Sequence, residues 1–182
     1  MNKLQNYYKN IVRPDLLLKL GVNNIHQVPK IEKIVLKVSI KNATQNPLEL
    51  NAALTALTLI SGQKPKKIRS KQSITEFNLR KHSVIGGKVT LRNQNMYYFL
   101  DNFTINILPK FYEFKGLNTA AFDGNGNLSI GIKDLMQFPE VEKYYFNFKK
   151  SIGIDMTIVT TASKDEDALL LLSALQIPFN KK

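Results

Sequence analysis

Ile31–Gly62, IEKIVLKVSIKNATQNPLELNAALTALTLISG, decides the fold, because its apolar residues change period halfway along. Ile34, Leu36, Val38 and Ile40 alternate with Lys33, Val35, Lys37 and Ser39, the two-residue period of a strand buried on one face. Lys33, Lys37 and Lys41 then share the open face. Asn46-Pro47-Leu48-Glu49 next supplies a capping residue, a proline at the first helical position and a carboxylate at the third, so the spacing predicts a helix to about Ile60, stopped at Gly62. Leu50, Ala53, Leu54 and Leu57 form its core stripe.

Before this stretch, Leu4, Tyr7, Tyr8, Ile11 and Val12 recur at helical spacing, and Leu16, Leu17, Leu18 and Leu20 follow Pro14, which predicts a helix broken or restarted at the proline. After it come two strands, near Lys66–Arg69 and Lys88–Leu91. In the second, Val89 and Leu91 turn inward while Lys88, Thr90 and Arg92 point out. About residues 70–87 separate the two, too long for a tight hairpin, with Gly86-Gly87 as a hinge-like end; loops of that length in compact domains are commonly functional. Asn93 is expected to cap a helix carrying Met96, Phe99, Leu100, Phe103 and Ile107 on one side and stopping before Pro109. AAFDGNGNLSIGI (residues 120–132) reads as two short strands about a turn. Residues 133–149 are aromatic and irregular. A last strand, Gly153–Thr161, buries Ile154, Met156 and Ile158, and Ser163-x-x-Glu166 reads as a capping box for a helix to Leu175, closed by Pro178.

Strand–helix–strand–strand–helix–strand is the split β-α-β order of ferredoxin-like folds. The expected class is α+β: a mostly antiparallel sheet, helices on one face, the other face free, and a long basic loop between two strands. With 182 residues, 43% of them hydrophobic, the chain can bury its core as a single domain spanning 1–182.

The net charge is +12 and the pI about 9.8. Nine Lys and Arg against the single acid Glu76 fall within Ser61–Arg92, so one segment dominates the electrostatic field. Concentrated positive charge without a basic amphipathic helix points to nucleic acid rather than a membrane surface. Absence of Cys excludes disulfides, thiolate metal sites and a cysteine nucleophile. The first residues show neither a signal-peptide nor a transit-peptide pattern, so the protein is expected to work where it is made. Sequons at Asn42, Asn102 and Asn127 then read as coincidences of an Asn-rich chain. Twenty-two Lys to four Arg, with 18 Asn, suggests an AT-rich genome.

Catalytic patterns are thin. His26 and His82 match no metal-ligand spacing and read as surface or turn residues. Ser61-x-x-Lys64 lacks the companion motifs of a hydrolase, and no phosphate-cradling glycine loop is present. The stretch from Asp123 to Asp134 places oxygens like a calcium loop but has Leu128 where glycine is obligatory, so it reads as a hairpin turn. No enzyme activity, cofactor or metal is expected.

The basic segment differs in kind from a solvated charge run. Lys33, Lys37, Lys41, Lys88, Thr90 and Arg92 share the predicted open face, joined by Lys64, Lys66, Lys67, Arg69 and Lys71 from the adjoining strand and loop. Lysines meet phosphate as point charges, and scarce Arg leaves few planar forks for base edges. Recognition of RNA shape and backbone is implied, with Gln63 and Thr90 adding polar contacts.

Seven strings in order and spacing carry a family resemblance: LQNYYK (4–9), VPKIEKI (28–34), ISGQKP (60–65), IGGKVTLR (85–92), FDGNGN (122–127), FPE (138–140) and TTA (160–162). From Leu4 to Phe179 the chain resembles the bacterial-type large ribosomal subunit protein five family. The resemblance implies a structural constituent of the large subunit that binds 5S rRNA in the central protuberance. It implies rRNA contacts at Lys33, Lys37, Gln63, Lys64, Lys66, Lys88, Thr90 and Arg92. It also implies that the loop meets peptidyl-site tRNA through Lys71, Ser73, Arg80 and Lys81, and that residues 112–148 face a small-subunit protein across an intersubunit bridge. Large-subunit rRNA and a neighbouring 5S-associated ribosomal protein complete the implied partners. The chain departs from the family where Lys37 replaces a usual Asn, where residues 39–45 lack glycines, and where Asn125 replaces a basic residue. The ribosome is expected to be mitochondrial, with an organelle-encoded gene, or otherwise that of a plastid or the bacterial cytoplasm. The competing class is a non-ribosomal architectural protein for structured RNA or DNA; no predicted helix is basic enough for a major groove.

Overall fold

The structure, a computed structural model, describes residues 3–41, 43–44, 46–111, 114–144 and 152–180. Asn42, with its sequon, lies outside the described residues, as do 112–113 and 145–148 of the stretch expected to face the small subunit. The elements run α1 (Lys3–Tyr7), a π turn (Tyr8–Val12), α2 (Arg13–Leu20), β1 (Ile31–Ser39), α3 (Pro47–Ser61), β2 (Lys66–Arg69), β3 (Val84–Leu91), α4 (Asn93–Asn102), β4 (Leu128–Ile132), α5 (Pro139–Glu142), β5 (Ile154–Thr160) and α6 (Asp165–Ala174). The strands form one antiparallel sheet in the order β2-β3-β1-β5-β4 with helices packed on it, the expected α+β class. The chain divides into two compact units, residues 1–34, 91–130 and 157–182 in the first and 35–90 and 131–156 in the second.

In the first unit the N-terminal helix is continuous through Pro14, not broken there. A proline ring collides with the carbonyl four residues back, and the chain widens to a π turn just before it, closed by Arg13 N–H to Tyr8 O. α1 packs on α4 and α2 on α6. Met96, Phe99, Leu100, Phe103 and Ile107 are all buried, as their spacing predicts. α4 begins at Asn93 itself and has no side-chain cap, so the expected Asn93 cap is corrected. The capping box at Ser163 also fails to form. α6 starts at Asp165 with Lys164 in the cap position, and its first-turn acids Asp165, Glu166 and Asp167 complement the helix dipole instead.

The first strand expected before the glycine-rich turn is absent too. Residues 119–121 form a 3₁₀ turn, and only a single bridge joins Phe122 to Leu128. Asp123 accepts from the amides of Asn125 and Asn127 and from the Asn127 side chain, while the Asp165 carboxylate accepts from Gly124 N–H at 3.1 Å and Gly126 N–H at 2.8 Å. The turn's polar groups are thus satisfied across 39 to 41 residues of sequence.

In the second unit the two-residue period of β1 holds: Leu36 and Val38 are buried, Lys37 and Ser39 exposed. α3 buries Leu50, Ala53, Leu54 and Leu57 and ends at Gly62 in the left-handed conformation, with no side-chain bond from Asn46 at its start. α5 packs against α3. β3 begins four residues earlier than its alternation predicts, at Val84, so the loop is 70–83 and Gly86-Gly87 are buried strand residues rather than a hinge. Both positions are places of close approach. A Cβ on Gly86 would run into the backbone carbonyl of Val38, and one on Gly87 into the Leu54 side chain of α3.

Candidate nucleic-acid interface

The β2/β3 ladder sets Lys66 directly opposite Lys88 and Lys67 opposite Gly87, with a bulge between Ile68 and Arg69. Opposed residues share a face, and Gly87 faces α3; hence Lys66 and Lys88 stand on the open face while Lys67 is turned to the helix side. This corrects the expectation that Lys66 and Lys67 join the same surface. On the other flank of β3, the bond from Ile40 N–H to Ile85 O fixes the register with β1. Counting back along antiparallel strands pairs Lys37 with Lys88 and Val35 with Thr90. Lys37, Lys88 and Lys66 therefore form a row across three adjacent strands, each side chain exposed.

None of the three has an acidic partner among the described residues. Lysines on an edge strand have a bland explanation, because they discourage edge-to-edge pairing. That explains Lys66, Lys67 and Arg69 on β2. It does not explain Lys37 and Lys88, which lie on interior strands.

Gln63 and Lys64 follow α3 directly. The Ser61 hydroxyl donates to Leu57 O at 2.6 Å and accepts from Gln63 N–H at 3.2 Å, which fixes the exit of the chain and leaves the Gln63 side chain half-buried and Lys64 exposed. Committed in this way, Ser61 is a helix-end residue.

In the first unit, Lys33 and Arg92 are not free cations. Glu32 lies 3.4 Å from Arg92 and 3.8 Å from Lys33. One carboxylate offsets about half of their combined positive charge, a consequence the sequence reading missed. The signal was present as an acid at the start of a basic strand, but its reach to residue 92 was not. His26 is exposed in a turn, its N–H bonded to the Asn24 side chain, and His82 is exposed with φ of 69°. Among the described residues no group of three His, Asp or Glu could hold a metal ion, and no helix is long and apolar enough to cross a membrane.

Loop 70–83 is a built structure rather than a slack tether. Ser70 and Ser83 pair at its base, Ile74 and Leu79 exchange both backbone bonds, and Lys81 N–H donates to Ser73 Oγ at 3.0 Å. Ser73 is thus a brace for the loop. Lys71, Arg80 and Lys81 are exposed and lack acidic partners among the described residues.

The sequence comparisons agree with one another. A family model described as ribosomal protein L5 matches residues 24–80, and one described as the C-terminus of the same ribosomal protein family matches residues 84–179. A large ribosomal subunit protein uL5 from Thermoanaerobacter sp. (strain X514) is 45% identical over 181 residues, covering 100% of both chains. Its counterpart from Clostridium perfringens (strain SM101 / Type A) is 44% identical over 179 residues, 98% of this chain and 99% of the relative. The large ribosomal subunit protein uL5m of Reclinomonas americana is 43% identical over 182 residues, again 100% of each.

Proposed function

The chain belongs to the ribosomal protein L5 family, and from that premise we propose that it binds 5S rRNA through the open side of its sheet and touches peptidyl-site tRNA with loop 70–83. It is a ribosomal protein of the large subunit and not an enzyme. The observation that carries the RNA reading is the lysine row Lys37–Lys88–Lys66, three unpaired cations on adjacent strands. Lysine side chains rising from strands about 4.8 Å apart carry flexible ammonium groups that suit the phosphates of a folded RNA backbone.

The rRNA surface comprises Lys37, Lys66, Lys88 and Thr90, with Gln63 and Lys64 at the end of α3. Lys33 and Arg92 contribute less, because Glu32 already engages them. The tRNA surface comprises Lys71, Arg80 and Lys81, with Ser73 holding the loop in shape. Large-subunit rRNA, a neighbouring 5S-associated protein and a small-subunit protein facing residues 112–148 complete the assembly. The ribosome is mitochondrial in this proposal, supported by the Lys- and Asn-rich composition.

Binding of 5S rRNA and of duplex DNA of equal length, compared at ~150 mM salt where phosphate-driven affinity is already attenuated, tests the reading against an architectural DNA-binding protein. Preference for 5S rRNA is expected; preference for the duplex overturns it. Within a 5S rRNA complex, the triple change Lys71→Ala, Arg80→Ala, Lys81→Ala is expected to weaken tRNA binding and to leave 5S rRNA binding unchanged.

A further inference from the structure

Phe77 sits at the tip of loop 70–83, 56% exposed, where burial would be the default for a side chain of its size. The tip is fixed. Thr75–Asn78 forms a turn closed by Asn78 N–H to Thr75 O at 3.0 Å, Asn78 takes a left-handed φ of 51°, and the Ile74–Leu79 bridge clamps the turn from behind. The ring meets no other described aromatic side chain. Its loop carries Lys71, Arg80 and Lys81 against the single acid Glu76, so whatever meets the tip is drawn in by positive charge.

We propose that Phe77 is a stacking platform for an unpaired base of the RNA that this loop meets, with Lys71, Arg80 and Lys81 holding the flanking phosphates. The proposal rests on the reading of loop 70–83 as a tRNA contact and adds a base contact to what charge alone describes as a backbone contact. A ring held on a braced turn loses little freedom when it is covered, and stacking on an aromatic face accepts any base. An exposed aromatic among cations fits a nucleobase with its phosphates better than an apolar protein surface, which would leave the cations without partners. The strands offer no such aromatic side chain on their open face; the loop supplies one.

The chain has no Trp, so Phe77→Trp introduces a single indole whose emission reports the tip. Transfer RNA transcript is titrated into the full chain held on 5S rRNA. Quenching of the indole on tRNA binding is expected, together with about tenfold weaker tRNA binding for Phe77→Ala, recovery by Phe77→Tyr, and a salt dependence unchanged by any of these substitutions. The loop-cation triple variant instead flattens the salt dependence. If Phe77→Ala binds tRNA like the parent while the triple variant is weakened, the loop contact stands and the stacking proposal falls. If both variants bind like the parent, the loop reading itself falls and takes this proposal with it. Lost affinity with an unquenched indole means that the ring meets something other than a base, which also overturns it. Unchanged thermal unfolding of Phe77→Ala is expected from the exposure of the ring.

Discussion

Lys66 of β2 stands directly opposite Lys88 of β3. Like charges opposed across a ladder destabilise by about 0.2–1 kcal/mol, so this pair works against the free protein and in favour of a bound polyanion. Lys88→Thr is therefore expected to make the free protein slightly more stable, by about 0.5 kcal/mol in urea unfolding. The same change is expected to reduce the slope of log affinity for 5S rRNA against log salt by about 0.7–0.9, one phosphate contact. Lys67→Thr removes the same charge from the helix side and is expected to leave that slope where it was. Equal slopes for Lys88→Thr and the parent would place the row outside the interface.

Gly86 and Gly87 separate two kinds of crowding. A methyl at Gly87 meets the end of the Leu54 side chain, which can rotate; one at Gly86 meets the Val38 carbonyl, which is held in the sheet. Gly87→Ala is expected to cost about 1 kcal/mol and Gly86→Ala about 3 kcal/mol, the ends of the usual overpacking range. Chemical denaturation of the two variants measures the difference, and a smaller loss for Gly86→Ala would contradict it.

The turn at 123–127 has an acid-sensitive brace. The Asn127 side-chain amide and the backbone amides of Asn125 and Asn127 hold the Asp123 carboxyl below its usual range. Because the folded state binds this proton more weakly than the unfolded state, the stabilisation is complete above the ordinary carboxylate pKa and is lost as pH falls through the lower folded value. Amide resonances of Gly124–Asn127 are expected to shift with that titration, and Asp123→Asn to abolish the shift. Asp165→Ala strands the buried Gly126 amide, leaves the exposed Gly124 amide to water, and is expected to cost about 1–3 kcal/mol at neutral pH.

Alkaline pH acts elsewhere. Burial, and secondarily the neighbouring Tyr8, pushes the Tyr97 phenol up to about 12; the two rings lie 6.3 Å apart. A raised phenol pKa favours the folded state fully below the ordinary value near 10, and the benefit is lost as pH rises from there through the folded value. Absorbance near 295 nm should show a phenol titrating at about pH 12 that Tyr97→Phe removes, and the same substitution should lessen the fall in unfolding free energy between pH 10 and 12. Tyr8→Phe leaves Pro29 O without its 3.0 Å donor and is expected to cost about 1 kcal/mol at neutral pH.

The sequence alone determined what depends on neighbours two to four residues away. The alternation in β1 and the stripes of α3 and α4 follow from where side chains point on a pleated strand and on a 3.6-residue helix, and Leu36, Val38, Leu57 and Phe103 are buried accordingly. Local signals did not fix where the helices start. Ser163 and Asn93 have the composition of caps and form none, and Asp165 turns to the amides of residues 124 and 126.

Tertiary structure decided the rest, because charge composition is a sum while a surface depends on which residues the ladder brings together. Nine basic residues between Ser61 and Arg92 read as one stripe in the sequence. Strand pairing divides them. Lys66 and Lys88 join Lys37 in an uncompensated row, Lys67 faces the helix, and Arg92 is taken up by Glu32, 60 residues away. The loop cations stand on a separately braced turn with Phe77 at its tip. Register is a long-range property fixed by the burial of one sheet face, and it converts a basic segment into two distinct surfaces.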